Sequence, residues 1–253
     1  MTAQLKSDAA KPATPQAKLG CLLLHGFTSH LDSVTAVVPL LEQMGLPYRL
    51  PILRGHNQTY QALEGVSWPD WYADADQALD ELKQEATEVI IIALSMGGLI
   101  ALDLAAKRPD DIKAIALMAP AMRSADPLAP AARVIAHFAK YWPVDAKRAF
   151  SDQERAARCQ NYPKAPTKTI VSFLDYGKYI ENQLSKVTVP ILILHSRRDR
   201  VIHPKSAEII YAKVNSNQKE LHWFEQTGHE MLLDTEIEAV LAKLQNFIVE
   251  NCR

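Results

Sequence analysis

Short apolar runs alternate along this chain with longer stretches of helical period. The runs are GCLLLH (20–25), PYRLPIL (47–53), EVIIIAL (88–94), IKAIALMA (112–119), PILILHS (190–196) and KELHWFE (219–225). Between them, apolar positions recurring every three or four residues predict helices over 33–44, 68–86, 96–107, 203–214 and 234–250. Gly45 stands where a helix C-terminus needs a left-handed residue, and Pro109 follows the third helix where it cannot extend it. Strand and helix in alternation predict an α/β fold: a doubly wound, mostly parallel sheet covered by helices on both faces.

Residues 121–187 break that rhythm. They show no strand pattern and are too long for an ordinary connection. RVIAHFAKYW, QERAARCQNY and VSFLDYGKYIENQL have helical period, and Pro127, Pro130, Pro143, Pro163 and Pro166 cut the segment into short pieces. The expected organisation is a polar, flexible lead-in over 1–18, a core built from 19–120 and 188–253, and a small helical cap inserted at 121–187 over the carboxyl edge of the sheet.

Charge and cysteine content narrow the function classes. The 28 basic and 29 acidic side chains nearly cancel, so no strong field is available to hold a polyanion or an acidic membrane, and nucleic acid is not an expected partner. Cys21, Cys159 and Cys252 are far apart and odd in number, which fits neither a disulfide framework nor a zinc site and points to a reducing cytoplasm. The first eighteen residues hold no apolar stretch of signal-peptide or membrane-span length.

The candidate chemistry sits in EVIIIALSMGGLIALDLAAK (88–107), where an apolar run stops at Ser95 and a helix follows. A serine projected from a strand-to-helix turn needs small residues two positions either side, and Ala93 and Gly97 supply them. Serine is a poor nucleophile without a base to take its proton and a third group to orient that base. Asp199, in PILILHSRRDRVIHP, and His229, in HWFEQTGHEMLLD, each follow a later strand. In a doubly wound sheet all three positions fall at the carboxyl edge, where His229 can serve as base and Asp199 can fix its tautomer. The turn after the first strand, LLLHGFTSH, adds a check: the Phe27 N–H and the Met96 N–H can converge on a developing oxyanion. Ser95 as a helix cap, Asp199 as a partner of its neighbouring arginines and His229 as a loop residue are the plainer readings of each alone. Their joint occurrence in order is what favours catalysis. His25 is expected to order its loop, and His25, His56, His195 and His203 lack metal-ligand spacing.

On these stretches, together with LPILRGHNQTY, the chain resembles the α/β-hydrolase superfamily, and within it small bacterial carboxylesterases and monoacylglycerol-lipase-like enzymes. The resemblance implies a nucleophile at Ser95, an acid at Asp199, a base at His229 and oxyanion amides at Phe27 and Met96. It implies a reduced sheet of about six or seven strands and hydrolysis of a small-molecule carboxylic ester through an acyl-enzyme, with no cofactor. Two positions depart from the family pattern: Ala93 replaces the first elbow glycine, and Asn57 follows Gly55 and His56 where glycine is usual, which leaves that loop's backbone shape open. A short to medium acyl chain is expected from the small cap, with some of Phe138, Tyr141, Trp142, Phe150, Tyr162, Phe173 and Tyr176 lining its pocket and most packing the cap. Trp68 and Trp71 are expected to anchor a helix. A monomer is favoured. The alternatives are a thioesterase or monoacylglycerol lipase, a slow-turnover ligand receptor on the same fold, and a purely structural interaction domain.

Overall fold

Successive residues of the apolar runs project to opposite sides of the sheet. Leu22, Leu24, Ile91, Ala93, Ile115, Leu117 and Ile193 share one buried cluster, while Leu23, Ile90, Ile92, Leu94, Ala116 and Leu194 belong to another. Both faces of the runs are therefore covered. The computed structural model describes residues 17–252. Its elements in chain order are β1 (Ala17–Leu24), α1 (Asp32–Thr35), α2 (Val38–Gln43), β2 (Tyr48–Arg49), α3 (Trp68–Lys83), β3 (Ala86–Leu94), α4 (Met96–Lys107), β4 (Ile112–Met118), α5 (Ala132–Ile135), β5 (Tyr141–Pro143), α6 (Gln153–Ala157), β6 (Lys164–Pro166), α7 (Thr167–Glu181), β7 (Ile191–Ser196), α8 (Lys205–Lys213), β8 (Lys219–Phe224) and α9 (Ile237–Asn251).

Six strands form one sheet in the order β2-β1-β3-β4-β7-β8, and every neighbouring pair is parallel. Helices α3, α4 and α8 bury Trp71, Leu79, Leu99 and Ile210 on one face, and α2 and α9 bury Leu41, Val240, Leu244 and Phe247 on the other. The chain leaves β1 toward β2, then returns past β1 to β3 and continues the other way. The loops leaving β1 and β3 thus diverge, and a doubly wound sheet opens a crevice at that point.

The structure departs from the sequence reading in particular places. The run 47–53 pairs only through Tyr48 and Arg49, because Pro47 and Pro51 have no N–H for the ladder. The helix expected over 33–44 is two helices; Pro39 cannot donate to the Thr35 carbonyl, which would be its helical partner. Within 121–187 a two-stranded antiparallel sheet joins β5 to β6, three residues each and each containing proline, too short for a period to show. Most of the lead-in lies outside the described residues, and its last two, Ala17 and Lys18, already belong to β1.

The closest approach in the core fixes the crevice. A Cβ built on Gly97, in the first turn of α4, would stand 2.4 Å from the Leu24 carbonyl oxygen and 2.9 Å from that of His25. Only a glycine lets the end of β1 lie against the start of α4. One on Gly98 would meet Pro120 at 3.0 Å. Because the obstacle at Gly97 is backbone, Gly97→Ala is expected to destabilise the fold by about 2 kcal/mol or more, read as a fall in Tm of about 4 to 8 °C.

Candidate active site

Ser95 leaves β3 at φ 55°, ψ −113°, a conformation that L-residues avoid. Its surroundings hold it there. The Ser95 N–H donates to the Met118 carbonyl at 2.9 Å, and the Ser95 carbonyl accepts from Ala121 N–H at 3.1 Å and Gly98 N–H at 3.0 Å. The turn forms with Ala93 in the place of glycine: Ala93 is buried in the sheet, in register with Leu24 and Leu117. Among the described residues the Ser95 hydroxyl makes no hydrogen bond, and it faces a cavity.

Asp199 follows β7 in a tight loop and His229 follows β8. Asp199 Oδ1 accepts from the Val201 and Ile202 N–H groups, both at 2.8 Å, and Oδ2 accepts from His229 Nδ1 at 2.8 Å. With its proton on Nδ1, His229 is left with a bare Nε2, and the residue lines the same cavity as Ser95. Burial opposes charge on the imidazole, but the Asp199 carboxylate outweighs it and raises the His229 pKa above the ordinary histidine value. Burial likewise opposes charge on Asp199, and its contacts with His229 hold that carboxyl below the usual range.

The loop carrying His229 hangs from carboxylates. Glu236 accepts from the Gln226 and Thr227 amides at 2.9 and 2.7 Å, and Asp234 accepts from Gly228 N–H at 2.5 Å and Ser151 N–H at 2.6 Å. Gly228 allows this close fit, since a Cβ there would lie 2.5 Å from the Ala149 carbonyl oxygen. Asp234 thereby ties the histidine loop to the long segment between β4 and β7.

Across the cavity, neither the Phe27 N–H nor the Met96 N–H donates to any described residue. Two buried histidines shape the loop around Phe27. His25 Nε2 accepts from Leu53 N–H at 3.2 Å, and His56 Nε2 accepts from Thr28 N–H at 3.2 Å. Both must be neutral to accept. Burial pushes His25 down to about 4 and His56 well below its ordinary value. Thr28 and Asn57 take φ of 61° and 54°; asparagine tolerates that region, which is how the loop forms without a second glycine.

The cavity has a volume of about 370 Å³. Its apolar wall includes Phe27, Leu128, Trp142, Val144, Ile170 and Phe173. Of the seven aromatics singled out between 138 and 176, Trp142 and Phe173 line it. Tyr176 stacks on Trp68, Tyr162 bonds its hydroxyl to the Gly55 carbonyl, Phe150 is buried beside Ala149 and Ala156, and Phe138 is 87 % exposed. Trp71 is fully buried and donates Nε1–H to the Arg54 carbonyl at 3.0 Å. Sequence reasoning missed Asp234, Glu236 and Glu230, a buried carboxyl that lines the cavity and accepts from Asn161 Nδ2 at 2.7 Å. Their only signal was acidic residues crowding TGHEMLLDTE. It also left His56 and His195 without a role. Among the described residues no group of histidine, cysteine and acidic side chains is placed to hold a metal ion.

The family model described as serine aminopeptidase, S33 (Hydrolase_4) matches residues 15–236. A carboxylesterase of Bacillus subtilis (strain 168) is 28% identical over 228 residues, covering 90% of this chain and 91% of the relative. A thermostable monoacylglycerol lipase of Bacillus sp. (strain H-257) is 27% identical over 238 residues, covering 92% of this chain and 91% of the relative. Among solved structures, one from work on the metagenome-derived lipolytic enzymes LipS and LipT superposes with a TM-score of 0.87 at 27% identity, covering 93% of this chain and 95% of that one. The monoacylglycerol lipase of Paleococcus ferrophilus, at 18% identity and a TM-score of 0.79 with 93% of this chain and 97% of that chain covered, shares the fold. With a strand-to-helix serine turn in a parallel sheet and a family model spanning most of its length, this chain belongs to the Hydrolase_4 family of α/β-hydrolases.

Proposed function

We propose that the protein hydrolyses carboxylic esters of short to medium acyl chain through an acyl-enzyme on Ser95. The observation that carries this reading is the 2.8 Å hydrogen bond from His229 Nδ1 to the buried Asp199, with His229 and the strained Ser95 lining one cavity. Ser95 Oγ attacks the ester carbonyl carbon while its proton passes to His229 Nε2. The Phe27 and Met96 amides, free of other acceptors, receive the oxyanion. The imidazolium, steadied by Asp199, then protonates the leaving alcohol as the carbon–oxygen bond breaks. Water repeats the sequence on the acyl-enzyme, giving its proton to His229 and restoring Ser95.

Residues 121–187 act in this reading as a cap that shapes the acyl pocket around Trp142, Ile170 and Phe173. A volume of about 370 Å³ lies at the small end of ligand cavities and supports acyl chains of short to medium length. The relatives' names, carboxylesterase and monoacylglycerol lipase, support ester hydrolysis in general. The partner is a free small-molecule ester, and the three dispersed cysteines make the cytoplasm the expected compartment.

An ester panel graded by acyl length, with a monoacylglycerol and a thioester included, tests substrate and chemistry together. Turnover is expected to peak among short to medium esters, and Ser95→Ala to lower kcat by roughly 10⁴-fold or more. Multiple turnover surviving in Ser95→Ala would overturn the mechanism; tight binding with a single slow turnover would make the protein a receptor. The base must be neutral to accept a proton, so kcat/KM is expected to rise with pH through the His229 pKa. Its raised direction sets the midpoint of that acid limb above the ordinary imidazole value of about 6.5. A midpoint below that value would show that the Asp199 contact does not govern the base.

A further inference from the structure

We propose that His195 is a positioning residue for the acid of the site: its neutral ring presents Nε2–H to Asp199 Oδ2 and limits the charge that this carboxylate offers to His229. The inference rests on the assignment of Ser95, Asp199 and His229 proposed above.

His195 lies near the carboxyl end of β7 and is fully buried, as is the Asp199 side chain. Its Nε2 stands 3.5 Å from the same Asp199 oxygen that accepts from His229 Nδ1 at 2.8 Å. Neither ring nitrogen of His195 makes a hydrogen bond of normal geometry, although the Ile202 backbone lies near the ring. That is a cost which a leucine or phenylalanine at a buried strand position would avoid. The ring packs edge-on against Trp223 of β8, at 5.8 Å between centroids and 64° between planes, a contact that any aromatic side chain could supply. What only histidine adds there is a donor facing Asp199.

The electrostatics select its protonation state. Asp199 is the anion facing the ring, and it and the Ile202 backbone favour a charge on it. His229 from the loop after β8 and His203 from the loop after β7 oppose that charge, and burial outweighs the rest, holding His195 at about 4. On the β8 side, Arg197 lies over Trp223, its guanidinium 4.5 Å from the ring centroid, and is paired with Glu225. His195 is therefore neutral where the site works. A neutral imidazole carries one proton and one lone pair. In a buried site, directing the lone pair at a carboxylate oxygen 3.5 Å away is repulsive, so the proton belongs on Nε2. Asp199 Oδ1 already holds the Val201 and Ile202 amides. Three donors thus bond the carboxylate and the His195 Nε2–H stands 3.5 Å away as a fourth polar neighbour, which moderates its attraction for the His229 imidazolium.

The test uses the whole enzyme. Nitrogen NMR of the wild-type protein is expected to show His195 as the neutral Nε2–H tautomer at neutral pH; an Nδ1–H tautomer would overturn the proposal whatever the variants do. In His195→Leu the donor is lost, so the acid limb of kcat/KM is expected to move up by about half a pH unit or more and kcat to fall about tenfold. His195→Gln, which keeps a donor, is expected to restore most of both. If Leu and Gln variants share the wild-type midpoint and differ only in Tm, His195 is a packing residue. An active Ser95→Ala would instead remove the assignment beneath this inference, whereas an inactive Ser95→Ala with unchanged His195 profiles would sink this inference alone.

Discussion

Everything at this site depends on the contact between the backbone at the end of β1 and the first turn of α4. With the Leu24 carbonyl resting where a Gly97 side chain would be, helix and strand share one small volume. The Phe27 and Met96 amides emerge from the two sides of that contact, and Ser95 is forced to φ 55° between them. The strain at Ser95 is sustained by the surrounding sheet: Met118, at the end of β4, and Ala121, just beyond it, hold its amide and carbonyl. The contact falls where the strand order reverses, so the crevice and the strained residue are two results of one topology.

Around this point the buried polar groups divide by charge state. His25, His56 and His195 are held neutral by burial, and the first two use an accepting ring nitrogen to hang loops from the sheet. His229 is the exception, because Asp199 repays the cost of its charge. Four histidines in similar burial thus differ in role through what faces them. The loop that carries His229 is ordered from below by Asp234 and Glu236, whose oxygens take up amides that the sheet cannot satisfy.

Much of this was legible in the sequence. Apolar runs of six to eight residues showed where the strands lie, and a serine between Ala93 and Gly97 marked the turn, because both signals are local. Where proline intervened, the pattern misled: Pro47 and Pro51 cut β2 to two residues, Pro39 split a helix, and β5 and β6 are too short to leave a period. The loop near Asn57 was unreadable for another reason. Its shape is imposed by His56 reaching Thr28, a contact across 28 positions of the chain. The partnership of Asp234 with Ser151 spans 83 and has no local trace either. Side chains that act on distant backbone are invisible to periodicity, whereas side chains that shape their own turn are not.

The long segment between β4 and β7 is fastened unevenly. At its far end α7 is sewn to α4: Tyr176 donates to the buried Asp103, which Lys107 also pairs, and Trp68 stacks on both Tyr176 and Tyr179. Its near end carries Leu128, Val134 and Phe138 to the solvent, and Leu128 also stands on the cavity wall. Disturbing α7 means breaking an aromatic stack beside the buried Asp103 carboxylate, whereas most residues near 128–138 are already exposed or half-exposed. The two ends of this segment are therefore held differently: α7 is fixed through buried contacts with α4, while the stretch near 128–138 lies largely at the surface and is joined to α7 by the Arg133–Asp175 pair.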